Sequence, residues 1–292
     1  MSQVILKQRT KPSHMNIKKV SGRVFTYLLF IGITAIVFLP LLITLIASFK
    51  TAGQLGSTSP LAFPSFSKLT LDNYKTIFTS GKLLIATRNS LFLVIASVVF
   101  NAIIGSTTAY VLERFDFKMK FLVYGMFLVG MLLPAYITEI ARFRVMSKIG
   151  MYNTMGAPLL IYIATDLMQL YIYRQFVQKI PIALDESAMM DGAGYFTIFW
   201  KVIFPNLLPA TATLAIIKSV DVLNDMYIPY LYMPGTKLRT LTTMLMDFSS
   251  SLTGSWQTLS AAIVIVMVPT IILFIFFQRY IFAGIVAGAV KE

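Results

Sequence analysis

Long uninterrupted apolar runs constrain this chain more than any other feature. Residues 24–48 carry no charged side chain, and a helix of that length crosses the ~30 Å hydrocarbon layer of a bilayer. The run exceeds the ~7–15 residues of a signal-peptide core and no small-x-small cleavage site follows it. It reads as an uncleaved first span, with Pro40 a tolerated kink. Further runs place spans at about 87–112, 121–140 (broken near Pro134), 155–176, 206–233 and 259–282. These runs predict an all-α, polytopic membrane protein with six transmembrane helices. A basic N-terminal segment, 1–23, precedes one six-span domain, 24–292.

Composition sharpens the reading. The chain is 57% hydrophobic, against ~45–50% for soluble domains. It has no cysteine, so disulfides and thiolate metal sites are excluded. A formal charge of +13 does not point to nucleic acid, because the basic residues flank apolar runs and read as topology signals. Six spans put both termini on one side. A modest Lys/Arg excess makes that side cytoplasmic, in a multi-pass protein of the cell membrane. Gly125 and Gly130 have the spacing of a phosphate loop, but Met131-Leu132 follow in place of Lys and Ser/Thr, inside a span. No metal-ligand cluster or nucleophile–histidine pair accompanies them. The chain is therefore expected to have no catalytic residue and to bind no cofactor or metal itself.

One polar island, about 178–205, interrupts the apolar pattern with IPIALDESAMMDGAGYFTIFWKVIFP from Ile180 to Pro205. Pro181 suits a first helical turn, and Asp185 and Glu186 follow where the macrodipole favours negative charge. Gly192 reads as a left-handed helix stop, and Asp191 as a cap for a second short helix. Phe196, Phe199 and Ile203, at i, i+3, i+7, give that helix one apolar face. Pro205 and Pro209 turn the chain back toward the membrane. The island predicts a helix-turn-helix at the membrane surface.

Charges inside the fifth span are the other oddity. Lys218, Asp221 and Asp225 share a helix face, and each lone charge near mid-bilayer would cost ~2.5–3.5 kcal/mol. They either line a solute path or form a structural ion pair between Lys218 and Asp221. Asp166 and Gln169 on the fourth span are weaker candidates of the same kind. Tyr162, Tyr171, Tyr173, Tyr227, Tyr230 and Tyr232 either offer ring faces to a solute or anchor span ends at the interface. Gly284 and Gly288 have helix-packing spacing, but they begin beyond the last span and read, with Ala289, as a flexible small-residue tail, 283–292.

The island also carries a resemblance. Glu186-Ser187-Ala188, three residues, Gly192, nine residues, then Val202-Ile203-Phe204-Pro205 resembles the EAA loop of ABC importer permeases, departing from it at Ser187, Val202 and Phe204. Leu71-Asp72-Asn73-Tyr74 ahead of Asn89-Ser90 resembles that family's pre-span element. Asn224-Asp225 and the terminal FFQRYIFAGIVAGAVKE are similar to the maltose-type carbohydrate-uptake subfamily. The resemblance implies a permease subunit of a sugar or oligosaccharide importer, forming half of the translocation path. Its partners would be a second related permease, two ATP-binding subunits holding ATP and Mg, and an extracellular solute-binding protein. It assigns ATPase coupling to Glu186, Ser187, Ala188, Asp191, Gly192 and Pro205, and ATPase contact to the tail at Gly284, Gly288 and Ala289. It draws Asn224 and Asp225 toward the solute path, for which Asp221, Asp166, Gln169 and Tyr227 are candidates by their place in the spans. A secondary transporter driven by an ion gradient through Asp221 and Asp225 is the competing reading.

Overall fold

A computed structural model describes residues 17–65, 68–249 and 255–289. Every regular element among them is helical. The first span is α1 (Ile17–Ser48), with Pro40 inside it. Outside it lie the short α2 (Ala52–Ser57) and α3 (Asp72–Thr79). The long α4 (Lys82–Arg114) follows. Next come α5 (Lys120–Leu132) and α6 (Ala135–Lys148), then α7 (Gly156–Tyr162) and α8 (Leu167–Lys179). The polar island forms α9 (Ile182–Met190), α10 (Tyr195–Ile198) and α11 (Phe204–Asn206). The chain closes with α12 (Leu208–Asn224), α13 (Tyr227–Tyr232), α14 (Leu241–Ser249) and α15 (Trp256–Ala289).

Among the described residues, Val24–Ser48, Lys82–Arg114 and Trp256–Gln278 are unbroken helices long and apolar enough to cross a membrane. The other membrane segments are divided. At Leu133-Pro134 the chain bends 111° between α5 and α6, because a proline at this point can neither donate its N–H nor leave the preceding residue helical. The break expected there is present, but α6 absorbs both the end of the expected third span and the interfacial segment after it. The expected fourth span is split into α7 and α8 at residues 163–166. The expected fifth span is split at Asp225, where α12 gives way to α13. Gly125 and Gly130 lie within helix α5. The tail differs from expectation: α15 continues as helix through Ala289, since Ala283, Ala287 and Ala289 are strong helix formers that outweigh two glycines. Residues 1–16 and 290–292, parts of the two expected terminal segments, lie outside the described residues.

Helix α4 sits at the centre, packed on α7, α8, α12 and α14, while α1 touches mainly α15 and presents Phe25, Ile36 and Phe38 outward. One buried cluster holds Tyr110, Leu112, Leu170, Tyr173, Val177, Ile198, Phe199, Ile203 and Leu207, directly beneath the polar island. A second packs Leu93, Tyr162, Val222, Ile228 and Tyr232 near the α7 and α13 ends.

Candidate functional site

The loop from Ile180 to Leu207 is built to hold one shape. Pro181 occupies the N-cap position of α9, one residue ahead of the first turn. The helix ends in a Schellman arrangement: the Gly192 N–H donates to the Met189 carbonyl and the Ala193 N–H to the Ala188 carbonyl, each at 2.9 Å. Gly192 has φ +82°, the left-handed conformation that the sequence pattern anticipates. Asp191 does not cap the second helix. It is the C-cap of α9, and Gly194 stands at the start of α10 without a side-chain cap. The Schellman turn consumes the two residues Asp191 would have needed to reach α10.

The second short helix also departs from the expected register. After α10 the backbone widens into a π-helical turn, Phe199–Ile203, which inserts one extra residue and rotates everything before it. Phe199 (5% exposed) and Ile203 (0%) therefore share the buried face, whereas Phe196 is 78% exposed. Pro205 and Pro209 lie where the chain bends 75° into α12.

Two consecutive residues at the end of α4 secure this corner, Arg114 on the loop and Glu113 on α8. Arg114 Nη2 donates to the Ile180 carbonyl at 2.5 Å, and its Nε stands 3.0 Å from Asp185 Oδ2 in the first turn of α9. Both side chains are buried, at 9% and 6% exposure. Burial pushes the Asp185 carboxyl above its usual range, and the Arg114 guanidinium pulls it partly back. Glu113 accepts from Arg174 at 2.8 Å and from Gln178 at 2.9 Å on α8. Glu186, Ser187, Met190 and Phe196 remain exposed on the outer surface of the loop, and Ala188 is half-buried.

The intramembrane candidates gather elsewhere. Asp166 is the N-cap of α8, its carboxylate accepting the Gln169 N–H at 2.7 Å. The gap before it is plugged by Asn101 of α4, whose Nδ2 donates to the Ile163 and Ala164 carbonyls at 3.3 and 2.9 Å. Gln169 Nε2 donates in turn to Asn101 Oδ1 at 2.6 Å. Asn101, Asp166, Gln169, Lys218 and Asp221 line one small cavity of about 70 Å³. Lys218 forms no direct ion pair among the described residues; its Nζ lies 5.9 Å from the Tyr162 ring centroid, with Asp166, Asp221 and Asp225 as its electrostatic neighbours. A wider apolar groove of about 740 Å³, lined by Val123, Phe127, Met131 and Met168, opens on the other side of Asp166.

Asp225 is occupied by the fold. Its Oδ1 accepts the Tyr227 and Ile228 N–H groups at 2.8 and 3.2 Å, and its Oδ2 accepts the Tyr162 hydroxyl at 2.9 Å. Asn224 is exposed, with its Oδ1 3.4 Å from the Thr270 hydroxyl. Among the tyrosines, Tyr162, Tyr173 and Tyr232 are buried, and Tyr171, Tyr227 and Tyr230 are exposed. Tyr232 donates to Glu139 at 2.6 Å. Sequence reasoning missed Asn101, Arg114 and Glu139. Asn101 and Glu139 had a signal, being strong polar groups inside apolar runs; Arg114 looked like any basic residue at a span end.

Residues 101–286 match the family described as "Binding-protein-dependent transport system inner membrane component". A probable starch degradation products transport system permease of Thermoanaerobacterium thermosulfurigenes is 34% identical, over 87% of this chain and 91% of its own. An arabinooligosaccharides transport system permease of Halalkalibacterium halodurans is 31% identical, over 94% of this chain and 99% of its own. The crystal structure of a bacterial ABC transporter that imports alginate matches at a TM-score of 0.78 and 20% identity, covering 92% of this chain and 99% of that one; it shows a shared fold. None of these relatives is named as an ion-gradient carrier. The chain belongs to the binding-protein-dependent transport system inner membrane components and is a multi-pass permease subunit of an ABC importer.

Proposed function

We propose that this permease carries a sugar or oligosaccharide, that it pairs with a second related permease, and that it couples to two ATP-binding subunits through the loop from Ile180 to Pro205. ATP and Mg act on those subunits, and a solute-binding protein delivers solute from outside. Both termini and the loop face the cytoplasm, and the permease domain spans 24–292. The observation that carries the coupling reading is a shape-locked loop whose exposed surface displays Glu186, Ser187, Met190 and Phe196. Its inner surface is ion-paired and packed, so a push on α9 moves the buried core instead of deforming the loop. Gly192 supplies the turn, Asp191 ends α9, Ala188 packs beneath it and Pro205 fixes the exit angle. The helical end of α15, with Gly284, Gly288 and Ala289, is the second ATPase contact.

The carbohydrate reading rests on the named solutes of the similar permeases. Asp166, Gln169 and Asp221, with Asn224, Asp225 and Tyr227 nearby, are the polar groups past which a hydroxyl-rich solute moves. The experiment is co-expression with the adjacent transporter subunits, followed by uptake of a panel of labelled oligosaccharides. Glu186→Lys reverses a charge at the docking surface. Uptake in that variant should fall about tenfold, within the range of ordinary coupling energies, with the permease still inserted. Normal uptake by an assembled Glu186→Lys transporter would remove Glu186 from the contact.

A further inference from the structure

The two gripping residues at the end of α4 belong to a longer pattern. Helix α4 has 33 residues and so runs about 50 Å. At its start, Asn89 Nδ2 donates to the Lys237 and Arg239 carbonyls at 3.0 and 2.9 Å, and Ser90 Oγ accepts the Leu241 N–H at 2.9 Å. These bonds fix the loop that precedes α14. Midway, Asn101 binds the carbonyls at the α7–α8 break, beside the cavity lined by Lys218 and Asp221. At its end, Glu113 holds α8, and Arg114 holds both the Ile180 carbonyl and Asp185 of α9. One helix is thus hydrogen-bonded to the far loop, to the broken span and to the coupling loop.

Neighbouring contacts differ in kind. Where α10 and the π turn meet the core, they do so through apolar packing of Ile198, Phe199 and Ile203, which resists compression but has no directional bond. Packed surfaces of that kind slide by small shears. The Arg114 guanidinium is planar, and it ties two points of the loop that flank Pro181, by a hydrogen bond to the Ile180 carbonyl and an ion pair with Asp185. Such a two-point tie resists sliding and rotation alike.

We infer that Arg114 is the positioning residue through which movement of α9 reaches α4, so that α9 and α4 travel as one body and carry the ATPase stroke to the α7–α8 break. This rests on the coupling role of the loop. Glu113 with Arg174 secures the same corner to α8, so the break is approached from both sides. Arg114 acts through Asp185 and Ile180 and touches neither ATP nor solute. Arg114→Lys keeps the charge but offers a single point, and it cannot hold both partners in a fixed geometry.

The chain has no native cysteine, so two spin labels can be placed directly, at Ala183 on α9 and at Val111, an exposed residue of α4. The complete transporter is compared before and after ATP and vanadate are added, with trapping verified by loss of ATP hydrolysis. In the wild type the distance should stay narrow and unchanged. In Arg114→Lys and Arg114→Ala it should broaden on trapping, and uptake per ATP hydrolysed should fall about tenfold, with ATPase subunits co-purifying as in the wild type. A wild-type distance that shifts on trapping overturns the inference, whatever the variants do. So does an Arg114→Lys transporter with a narrow, unshifted distance and normal uptake per ATP. Loss of the ATPase subunits in Glu186→Lys, or its normal uptake, bears on the docking reading and leaves the α9–α4 distance as a separate measurement.

Discussion

Asn101 does more for this structure than its single amide suggests. Interrupting a helix inside hydrocarbon exposes carbonyls that have no water to turn to, and Asn101 satisfies those of Ile163 and Ala164. Asn101→Leu keeps the volume and removes the donor, leaving carbonyls unpaired at about 1–3 kcal/mol. The purified complex should unfold at a lower temperature in detergent, and an unchanged melting temperature would show that α7–α8 does not need the plug. Gly192 is a second single-residue dependence. At φ +82° an alanine costs about 1 kcal/mol in backbone strain, with nothing for its Cβ to strike. Gly192→Ala should therefore insert and assemble while the loop becomes more accessible to protease. Asp185 adds a pH dependence. Its folded pKa is raised, so the docked loop binds a proton more tightly than the undocked one. Docking weakens as pH rises through the carboxylate range, then levels off above the folded pKa. Protease protection of the loop should follow that course in the wild type and flatten in Asp185→Asn.

At the scale of elements, the contact between α4 and α8 is the tightest test of packing. A Cβ on Gly105 would come within 2.5 Å of Gln169 Nε2 and 3.1 Å of Tyr173 Cε2. Gln169 is long enough to swing away, so the steric cost is small. Moving it breaks its bonds to Asn101, and that loss, about 1 kcal/mol per bond, is the real penalty. Gly105→Ala should accordingly resemble a mild Asn101 variant in thermal unfolding. Equal stability in Gly105→Ala and wild type would mean that Gln169 finds other partners. The π turn at Phe199–Ile203 works differently. It reassigns which aromatic residues face the core, leaving Phe196 outward and Phe199 inward, and Trp200 then meets Phe196 and Phe199 edge-on and Phe204 at a tilt.

For the whole molecule, the pressing question is what the intramembrane charges do together. Lys218 and Asp221 share a cavity with Asp166 but make no direct ion pair among the described residues. A double-mutant cycle on Lys218→Met and Asp221→Asn should give an interaction energy under about 1 kcal/mol. Uptake should drop in each single variant, and complex yield should hold. Recovery of yield only in the double variant would instead make them a neutralising pair. Asp225 should behave in the opposite way. Asp225→Ala strips α13 of its N-terminal acceptor and Tyr162 of its partner, costing about 1 kcal/mol in capping alone and lowering complex yield. Asp225→Asn keeps one acceptor oxygen and should be tolerated.

Apolar run length was enough for the all-helical membrane class, because a helix satisfies its own backbone in hydrocarbon; it did not show that three of the expected spans are divided. The glycine stop at Gly192 and the break at Pro134 were equally legible, each being a local backbone preference of one residue type. The EAA-like spacing identified the loop for the same reason: it is a linear pattern. What stayed hidden depends on neighbours far apart in sequence. Arg114 meets Asp185 and Ile180, Asn101 meets the α7–α8 break, and Asp225 meets Tyr162, each across more than 60 residues of sequence. The register of the second short helix was also beyond periodicity, since the π turn puts Phe196, ahead of it, off the face that Phe199 and Ile203 share. Sequence determined that the chain is built of apolar, membrane-crossing helices and where the polar loop lies. Only the tertiary packing decided which buried charges face each other, because the dielectric and the partner of a charge are properties of the assembled interior, not of the residue that carries it.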